Sequence, residues 1–256
     1  MLIVPDESLK LQAVVGSSMS RHTFAIIQPS RHGVENQELA TGVGVKWKGA
    51  YLIVTAGHVI DHCPEATLRY FLPAREIECL PTSPTDKTIS VELRKLYELA
   101  NPKPPVFADD ADLGAILLPP QPGAEECFFS LDEHATVPAE GSEVGVFGYP
   151  VAVKLPMGKN FMASPAHFFG ALNARGDACK HAPIQDFTVP YELPHRANGF
   201  SGSGVWYWSS DPVWTPLPRL VGIVATECVP DHVVSGYDIT TVITFLRDKA
   251  DFVLAQ

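Results

Sequence analysis

Three separated stretches of the sequence carry side chains able to shuttle a proton or attack a carbonyl. In Tyr51-Leu52-Ile53-Val54-Thr55-Ala56-Gly57-His58-Val59-Ile60 an apolar run passes through two very small residues into a histidine. Small residues let the backbone turn tightly and keep an imidazole face open. In Asp109-Asp110-Ala111-Asp112-Leu113-Gly114-Ala115-Ile116-Leu117-Leu118 an acidic cluster enters an apolar run. Asp112 is the last acid before that run, so it is the one expected to be partly buried, where a carboxylate needs a partner such as histidine. In Ala197-Asn198-Gly199-Phe200-Ser201-Gly202-Ser203-Gly204-Val205-Trp206 two serines stand among three glycines. Glycine admits unusual dihedrals, so neighbouring backbone N–H groups can converge on one point, as an oxyanion site beside a nucleophile requires. Taken singly, each stretch has a plainer reading: a histidine ending a strand, a solvated turn that accounts for Asp109 and Asp110, and a Gly/Ser turn.

To act together these side chains need rigid elements beneath them. The chain reads mostly as short strands. Thr23-Phe24-Ala25-Ile26-Ile27 and residues 40–47 and 51–55 are rich in β-branched and aromatic residues, separated by Gly, Pro, Asn and Lys-Gly. Residues 112–118, 144–147, 205–208 and 220–225 continue the pattern. The 23 prolines and 19 glycines fall largely between these runs as turn signals. Strands do not alternate with helices, which argues against a doubly wound α/β sheet. One helix is predicted at the end, capped by Thr240 or Thr241, with Val242, Leu246, Ala250 and Val253 on one face beside Phe245 and Leu254. Residues 64–66, 101–105 and 118–123 read as loops. The last, Leu-Pro-Pro-Gln-Pro-Gly, is the best internal boundary; it divides the chain into 1–123, holding His58 and Asp112, and 124–256, holding Ser201 and the helix.

Composition narrows the function classes. A chain of 256 residues can bury roughly three-quarters of the surface its unfolded form exposes, so it needs neither metal nor disulfide to fold. The 19 Lys and Arg against 29 Asp and Glu give a formal charge of −10. Such a surface repels phosphate backbones and anionic lipid, which argues against nucleic-acid or membrane binding. No apolar run approaches the roughly 18–20 residues of a membrane span. The start, Met1-Leu2-Ile3-Val4-Pro5-Asp6-Glu7, has no basic region ahead of an apolar one, so no signal peptide is read and a cytoplasmic location is expected. Five cysteines, Cys63, Cys79, Cys127, Cys179 and Cys228, are irregularly spaced without a C-x-x-C pair. Free thiols in a reducing compartment are expected, with one or two buried disulfides as the alternative.

Taken together, the three stretches resemble the trypsin-like (chymotrypsin-fold) serine proteases, in the manner of bacterial trypsin-like peptidase domains. The matching residues are Thr55-Ala56-Gly57-His58-Val59, Asp112-Leu113-Gly114-Ala115 and Gly199-Phe200-Ser201-Gly202-Ser203-Gly204, in the family order of His, Asp and Ser, 54 and 89 residues apart. Val144-Gly145-Val146-Phe147-Gly148-Tyr149-Pro150 is similar to the strand and turn opening the second barrel, and Val221-Gly222-Ile223-Val224 to the strand after the nucleophile. The resemblance spans residues 22–254. It implies an all-β fold of two antiparallel β-barrels with a C-terminal α-helix, and a serine endopeptidase acting on a protein or peptide substrate. His58, Asp112 and Ser201 would form the triad, with the Gly199 and Ser201 N–H groups as the oxyanion hole and no metal or cofactor. By position, His195 and Arg196 would stand at the base of the substrate pocket, with Val224, Ala225, Thr226 and Gly236 on its walls. Positive groups there would favour an acidic or uncharged side chain, unless they point outward into solvent. Phe200 stands where digestive members carry the aspartate that pairs with a newly cut N-terminus, so activation of that type is not expected. Ser203 in place of a glycine also occurs in glutamyl-endopeptidase-like relatives. An uncontrolled protease would be harmful, so restraint by narrow specificity, a regulatory protein partner or a misaligned resting site is an expectation.

Three rival readings compete. The first is an inactive member of the same fold used as a binding module. The second is a metal site at His58, His62 and Cys63, where the i, i+4 histidines share a helical face but a fourth ligand is missing. The third is an α/β-hydrolase, which wants an acid and a histidine after the serine and a strand–helix rhythm; only the adjacent Asp231-His232 is on offer.

Overall fold

β-Branched and aromatic residues suit pleated, half-buried surfaces, and they build the strands of this chain. A computed structural model describes residues 16, 18–28, 38–61, 69–71, 96–98, 106–108, 111–118, 125–132, 135–151, 154–157, 160–163, 166–174, 185–193, 196–208 and 218–254. The first sheet holds β1 (Thr23–Gln28), β2 (Glu38–Trp47), β3 (Ala50–Ala56), β4 (Arg69–Phe71), β5 (Leu96–Glu98), β6 (Val106–Ala108) and β7 (Leu113–Leu118). Its order is β5-β4-β1-β2-β3-β7-β6, and β8 (Phe129–Ser130) pairs in parallel with β2. A hairpin of β9 (Glu143–Gly148) with later strands begins the second sheet. After β9 in the chain lie β10 (Lys154–Met157) and β11 (Asn160–Ala163), which among the described residues pair only with each other. The second sheet is completed by β12 (Ala166–Ala171), β13 (Asn173–Ala174), β14 (Phe187–Pro190), β15 (Gly204–Tyr207), β16 (Arg219–Cys228) and β17 (Val233–Asp238), in the order β12-β9-β15-β16-β17-β14-β13. The predicted loops at 64–66 and 101–105 lie outside the described residues, as do residues 119–123 of the loop predicted over 118–123, whose first residue, Leu118, instead ends β7.

The pleat sorts the buried side chains among separate apolar cores. Successive side chains of a strand face opposite ways. In β3, Leu52 and Val54 join a core shared by both sheets, while Ile53 between them faces a second core inside the first sheet. In β16, Leu220 and Ile223 enter the shared core, while Val221 and Val224 enter a third core inside the second sheet. Strands buried on both faces read as continuous apolar runs rather than alternating ones, which explains Tyr51–Val54 and Leu220–Val224.

The final helix closes the shared core. A short helix, α1 (Gly57–Asp61), follows β3, and α2 (Ile239–Leu254) ends the chain. Ile239, Val242, Ile243, Phe245 and Leu246 of α2 are buried between the sheets. The cap is Asp238 rather than Thr240 or Thr241. Its Oδ1 accepts from the backbone N–H groups of Thr240 and Thr241, both at 2.9 Å, and from the Thr240 hydroxyl at 2.6 Å. The helix starts early because Ile239 has a place in the core, leaving the preceding aspartate to satisfy the first free N–H groups.

Candidate active site

Strand register brings His58 to Asp112. In the β3–β7 pair Ala56 lies opposite Leu113, so the residues just after β3 meet the residue just before β7. The Gly57 N–H donates to the Asp112 carbonyl at 2.8 Å, and the His58 N–H donates to Asp112 Oδ1 at 2.7 Å. His58 Nδ1 stands 3.0 Å from both carboxylate oxygens. A carboxylate only accepts, so Nδ1 carries the proton and Nε2 of the neutral ring is left as an acceptor. Asp112 takes φ +59°, a left-handed conformation that aspartate tolerates better than most residues. A Cβ at position 57 would stand 3.1 Å from the Asp112 backbone, so the glycine before the histidine admits the acid. The imidazole is 40% exposed and the carboxylate 19%, so the ring is the more open of the two and its acid the more sheltered. Asp109 and Asp110 lie outside the described residues.

The serine loop can be followed peptide by peptide. The Asn198 carbonyl accepts from the Val151 N–H at 2.8 Å, and the Gly199 carbonyl from the Thr41 hydroxyl at 2.8 Å. The Phe200 N–H donates to Ala197 at 3.0 Å, and the Phe200 carbonyl accepts from Ser203 at 2.8 Å. The Ser201 carbonyl accepts from the Thr41 N–H at 3.0 Å, and the Gly202 N–H donates to Val224 at 2.7 Å. Among the described residues, the Gly199 and Ser201 N–H groups donate no hydrogen bond. A trans peptide points its N–H opposite to its C=O. The Asn198 and Phe200 carbonyls are anchored on the protein, so the Gly199 and Ser201 N–H groups turn away from those anchors. Gly199 at φ +97° and Gly202 at φ +85° supply the dihedrals this path needs.

Thr41 of β2 joins the two halves at this point. Besides its bonds to the Gly199 and Ser201 carbonyls, its hydroxyl accepts from the Tyr149 N–H at 2.9 Å, and its carbonyl accepts from the Thr55 hydroxyl at 2.7 Å. A Cβ at Gly202 would collide with the Thr41 carbonyl and the Thr55 hydroxyl. Gly202 therefore lies against Thr55, three residues before His58. Ser201 itself is half-buried. Phe200 is fully buried in the second sheet's core, its ring 5.4 Å from that of Phe168. Nothing in the structure explains the Ser203 hydroxyl, which is buried with no hydrogen-bond partner among the described residues.

A cavity of about 210 Å³ opens beside Ser201, lined by Ala197, Asn198, Ser201, Val224, Thr226, Glu227 and Val234. Of the residues expected there, Val224 and Thr226 line it. Ala225 is buried in the shared core, and Gly236 lies in β17 opposite Val224, where a Cβ would collide with the Ile223 carbonyl. His195 lies outside the described residues, and Arg196 is exposed. Glu227 escaped the sequence reading because β16 shifts register between Val224 and Thr226. A bulge lets two successive residues turn toward one side, and no residue type announces it. A second depression of about 230 Å³ runs along α2 beside Thr240, Thr244 and Asp248, and shares no residue with these loops. His62 and Cys63, the remaining members of the metal reading, lie outside the described residues, as do Cys79 and Cys179; Cys127 and Cys228 form no disulfide among the described residues.

No protein-family model matches the chain, and no curated protein matches it. Solved structures do. The Rv3671c protease of M. tuberculosis in its active form is 17% identical with a TM-score of 0.54, over 95% of this chain and 86% of that one. A serine endoprotease from Yersinia pestis is 13% identical with a TM-score of 0.58, over 96% and 67%. A scabies mite inactivated protease paralogue is 13% identical with a TM-score of 0.59, over 91% and 96%. Likeness at such identities establishes the fold: the chain has the chymotrypsin-like architecture of trypsin-like serine proteases. Active and inactivated proteins share that architecture, so the fold alone does not assign an activity.

Proposed function

We propose that the chain is a serine endopeptidase that hydrolyses peptide bonds through an acyl-enzyme, with His58, Asp112 and Ser201 as its triad. The observation that carries this reading is the pair of N–H groups at Gly199 and Ser201 that donate no hydrogen bond among the described residues, while the carbonyls of Asn198, Gly199, Phe200 and Ser201 around them are all bonded. Ser201 Oγ attacks the scissile carbonyl as His58 Nε2 takes its proton. Negative charge grows on the carbonyl oxygen and is held by the Gly199 and Ser201 N–H groups; losing one such donor typically costs about 3 kcal/mol of barrier. The Asp112 carboxylate fixes the ring and stabilises the imidazolium. The imidazolium then gives its proton to the departing amine as the C–N bond breaks, leaving an ester on Ser201. Water, deprotonated by His58, attacks that ester; the acid is released and the proton returns to Ser201.

The rival is a binding module on the same fold, favoured by the likeness to an inactivated paralogue. Labelling with a fluorophosphonate separates the two. Wild type is expected to be labelled covalently and Ser201→Ala not at all. A wild-type protein that resists the reagent while remaining folded would leave the binding-module reading standing.

A further inference from the structure

Ala197 opens the turn that carries one of the two oxyanion donors. Its carbonyl accepts from the Phe200 N–H at 3.0 Å, closing a four-residue turn over residues 197–200. Gly199, the third residue of that turn, has φ +97°. A positive φ at that place sets a type II turn, whereas type I needs a negative one. The peptide joining Asn198 to Gly199 points opposite ways in the two forms. The turn type therefore decides whether the Gly199 N–H or the Asn198 carbonyl faces the reacting site.

Glu227 of β16 holds the residue on which this turn starts. Its Oε1 accepts from the Ala197 N–H at 2.8 Å and from the Tyr191 hydroxyl. Tyr191 is buried in the second sheet's core, its ring 5.7 Å from that of Phe168. Its backbone N–H donates to the His232 carbonyl at 3.0 Å. Burial, followed by the hydrogen bond and charge of Glu227, pushes the Tyr191 phenol up to about 12, against the opposing effects of the Ala197 backbone and the Arg196 charge. The hydroxyl thus keeps its proton at neutral pH and donates it. A donor fixed in the core sets the carboxylate, and the carboxylate sets Ala197. The same strand holds the other end of the loop: the Gly202 N–H donates to the Val224 carbonyl at 2.7 Å, and the Val224 N–H to the Ser203 carbonyl at 2.8 Å. The register shift between Val224 and Thr226 lets β16 grip the exit by its backbone and the entrance by a side chain.

Resting on the reading of Ser201 as nucleophile, we propose that Glu227, mounted on Tyr191, is a positioning residue that holds the entrance of the serine loop and so keeps the Gly199 N–H directed at the oxyanion. Both donors meet one oxygen, so the position requires reach rather than charge. Glutamine presents a carbonyl oxygen at the same distance from the backbone. Aspartate keeps the charge and is one methylene short.

The test compares the full chain as wild type, Glu227→Gln, Glu227→Asp and Tyr191→Phe, each checked by thermal melting. The probe is diisopropyl fluorophosphate, a small neutral reagent whose P=O oxygen needs the same N–H pair as the oxyanion. Losing an oxyanion donor outright costs about 10²–10³ in rate, so Glu227→Asp, which displaces one donor, is expected to be labelled roughly tenfold or more slowly than wild type, and Glu227→Gln within about threefold of it. Tyr191→Phe should fall between them. On a peptide substrate the same order should appear in kcat, with KM changed less. Amide hydrogen exchange over residues 196–200 reads the loop without chemistry; it should quicken in Glu227→Asp and Tyr191→Phe and stay near wild type in Glu227→Gln. Where wild type is labelled, Glu227→Asp reacting or exchanging like wild type, or Glu227→Gln reacting as slowly as Glu227→Asp, overturns the assignment and leaves the protease reading intact. If Glu227→Asp does not fold, wild-type labelling and exchange in Tyr191→Phe overturn it instead. A wild type that the reagent does not label, with loop exchange that quickens in Glu227→Asp and not in Glu227→Gln, does the reverse: Glu227 still holds the loop and the catalytic reading falls.

Discussion

Asp112 holds the histidine through two separate atoms of the His58 residue, its backbone N–H at 2.7 Å and its Nδ1 at 3.0 Å. A change of chemistry without a change of shape therefore isolates the second contact. In Asp112→Asn the remaining carbonyl oxygen can still accept from the backbone, and asparagine tolerates φ +59° as aspartate does. Its NH₂ cannot accept from Nδ1–H, so the ring is driven to the other tautomer. The expected outcome is a melting temperature near that of wild type with kcat lower by about 10⁴, read on a peptide substrate. Asp112→Ala should lose both activity and several degrees of stability, because the left-handed turn no longer suits the residue. The acid and the histidine were legible in the sequence because each interrupts an apolar run at a point where a strand must end. The reason for Gly57 was not: the sequence suggested an open imidazole face, whereas the close neighbour of that Cα is the Asp112 backbone.

Elements rather than single residues set the serine loop, and its mounting comes from the first sheet. Thr41 is 158 residues from Gly199, yet its hydroxyl holds that residue's carbonyl and receives the Tyr149 N–H. Thr41→Val keeps the shape and orphans both groups. A buried polar group left without a partner costs about 1–3 kcal/mol. The expected result is a lower unfolding midpoint together with a fall in kcat larger than any rise in KM, with Thr41→Ser restoring both. A variant that melts lower yet turns over at the wild-type rate would show that the clasp is structural only. Gly202→Ala is expected to be more severe, since its Cβ meets the Thr41 carbonyl at a φ of +85°. The glycines of this loop were legible, because a Gly/Ser run before a strand has few other uses. Thr41 was not, since a threonine in β2 reads as an ordinary strand residue. The bulge that turns Glu227 into the cavity and the start of α2 at Ile239 were hidden for the same reason: both are decided by packing between sheets, not by local residue type.

At the scale of the molecule, the contact between the two sheets carries a titratable group that the proposed reaction does not use. His22 lies just before β1, stacked on Trp206 of β15 at 5.7 Å and edge-on to Phe129 of β8 at 5.6 Å. Burial lowers its pKa to about 4, the Arg21 charge acts in the same direction, and a hydrogen bond to the Cys127 backbone opposes them. The sign of the consequence follows from linkage. The unfolded chain binds a proton at His22 below about pH 6.5, while the folded chain stays neutral there until about pH 4. Unfolding therefore takes up a proton across that window. The stability is fully present above pH 6.5 and is lost as pH falls to 4, with a contribution on the order of 2–3 kcal/mol. His22→Phe keeps a ring in the stack and removes the titration. Urea midpoints at pH 7 and pH 4.5 provide the measurement, because midpoint shifts at constant m report stability. Wild type should lose more stability between the two than His22→Phe, and the difference of differences is the histidine's share. Carboxylates, and His167, whose pKa burial also lowers, titrate in both proteins and cancel in that comparison. Parallel pH profiles for the two proteins would mean that His22 is protonated in the folded chain as readily as in the unfolded one, and that the stack between the sheets admits water.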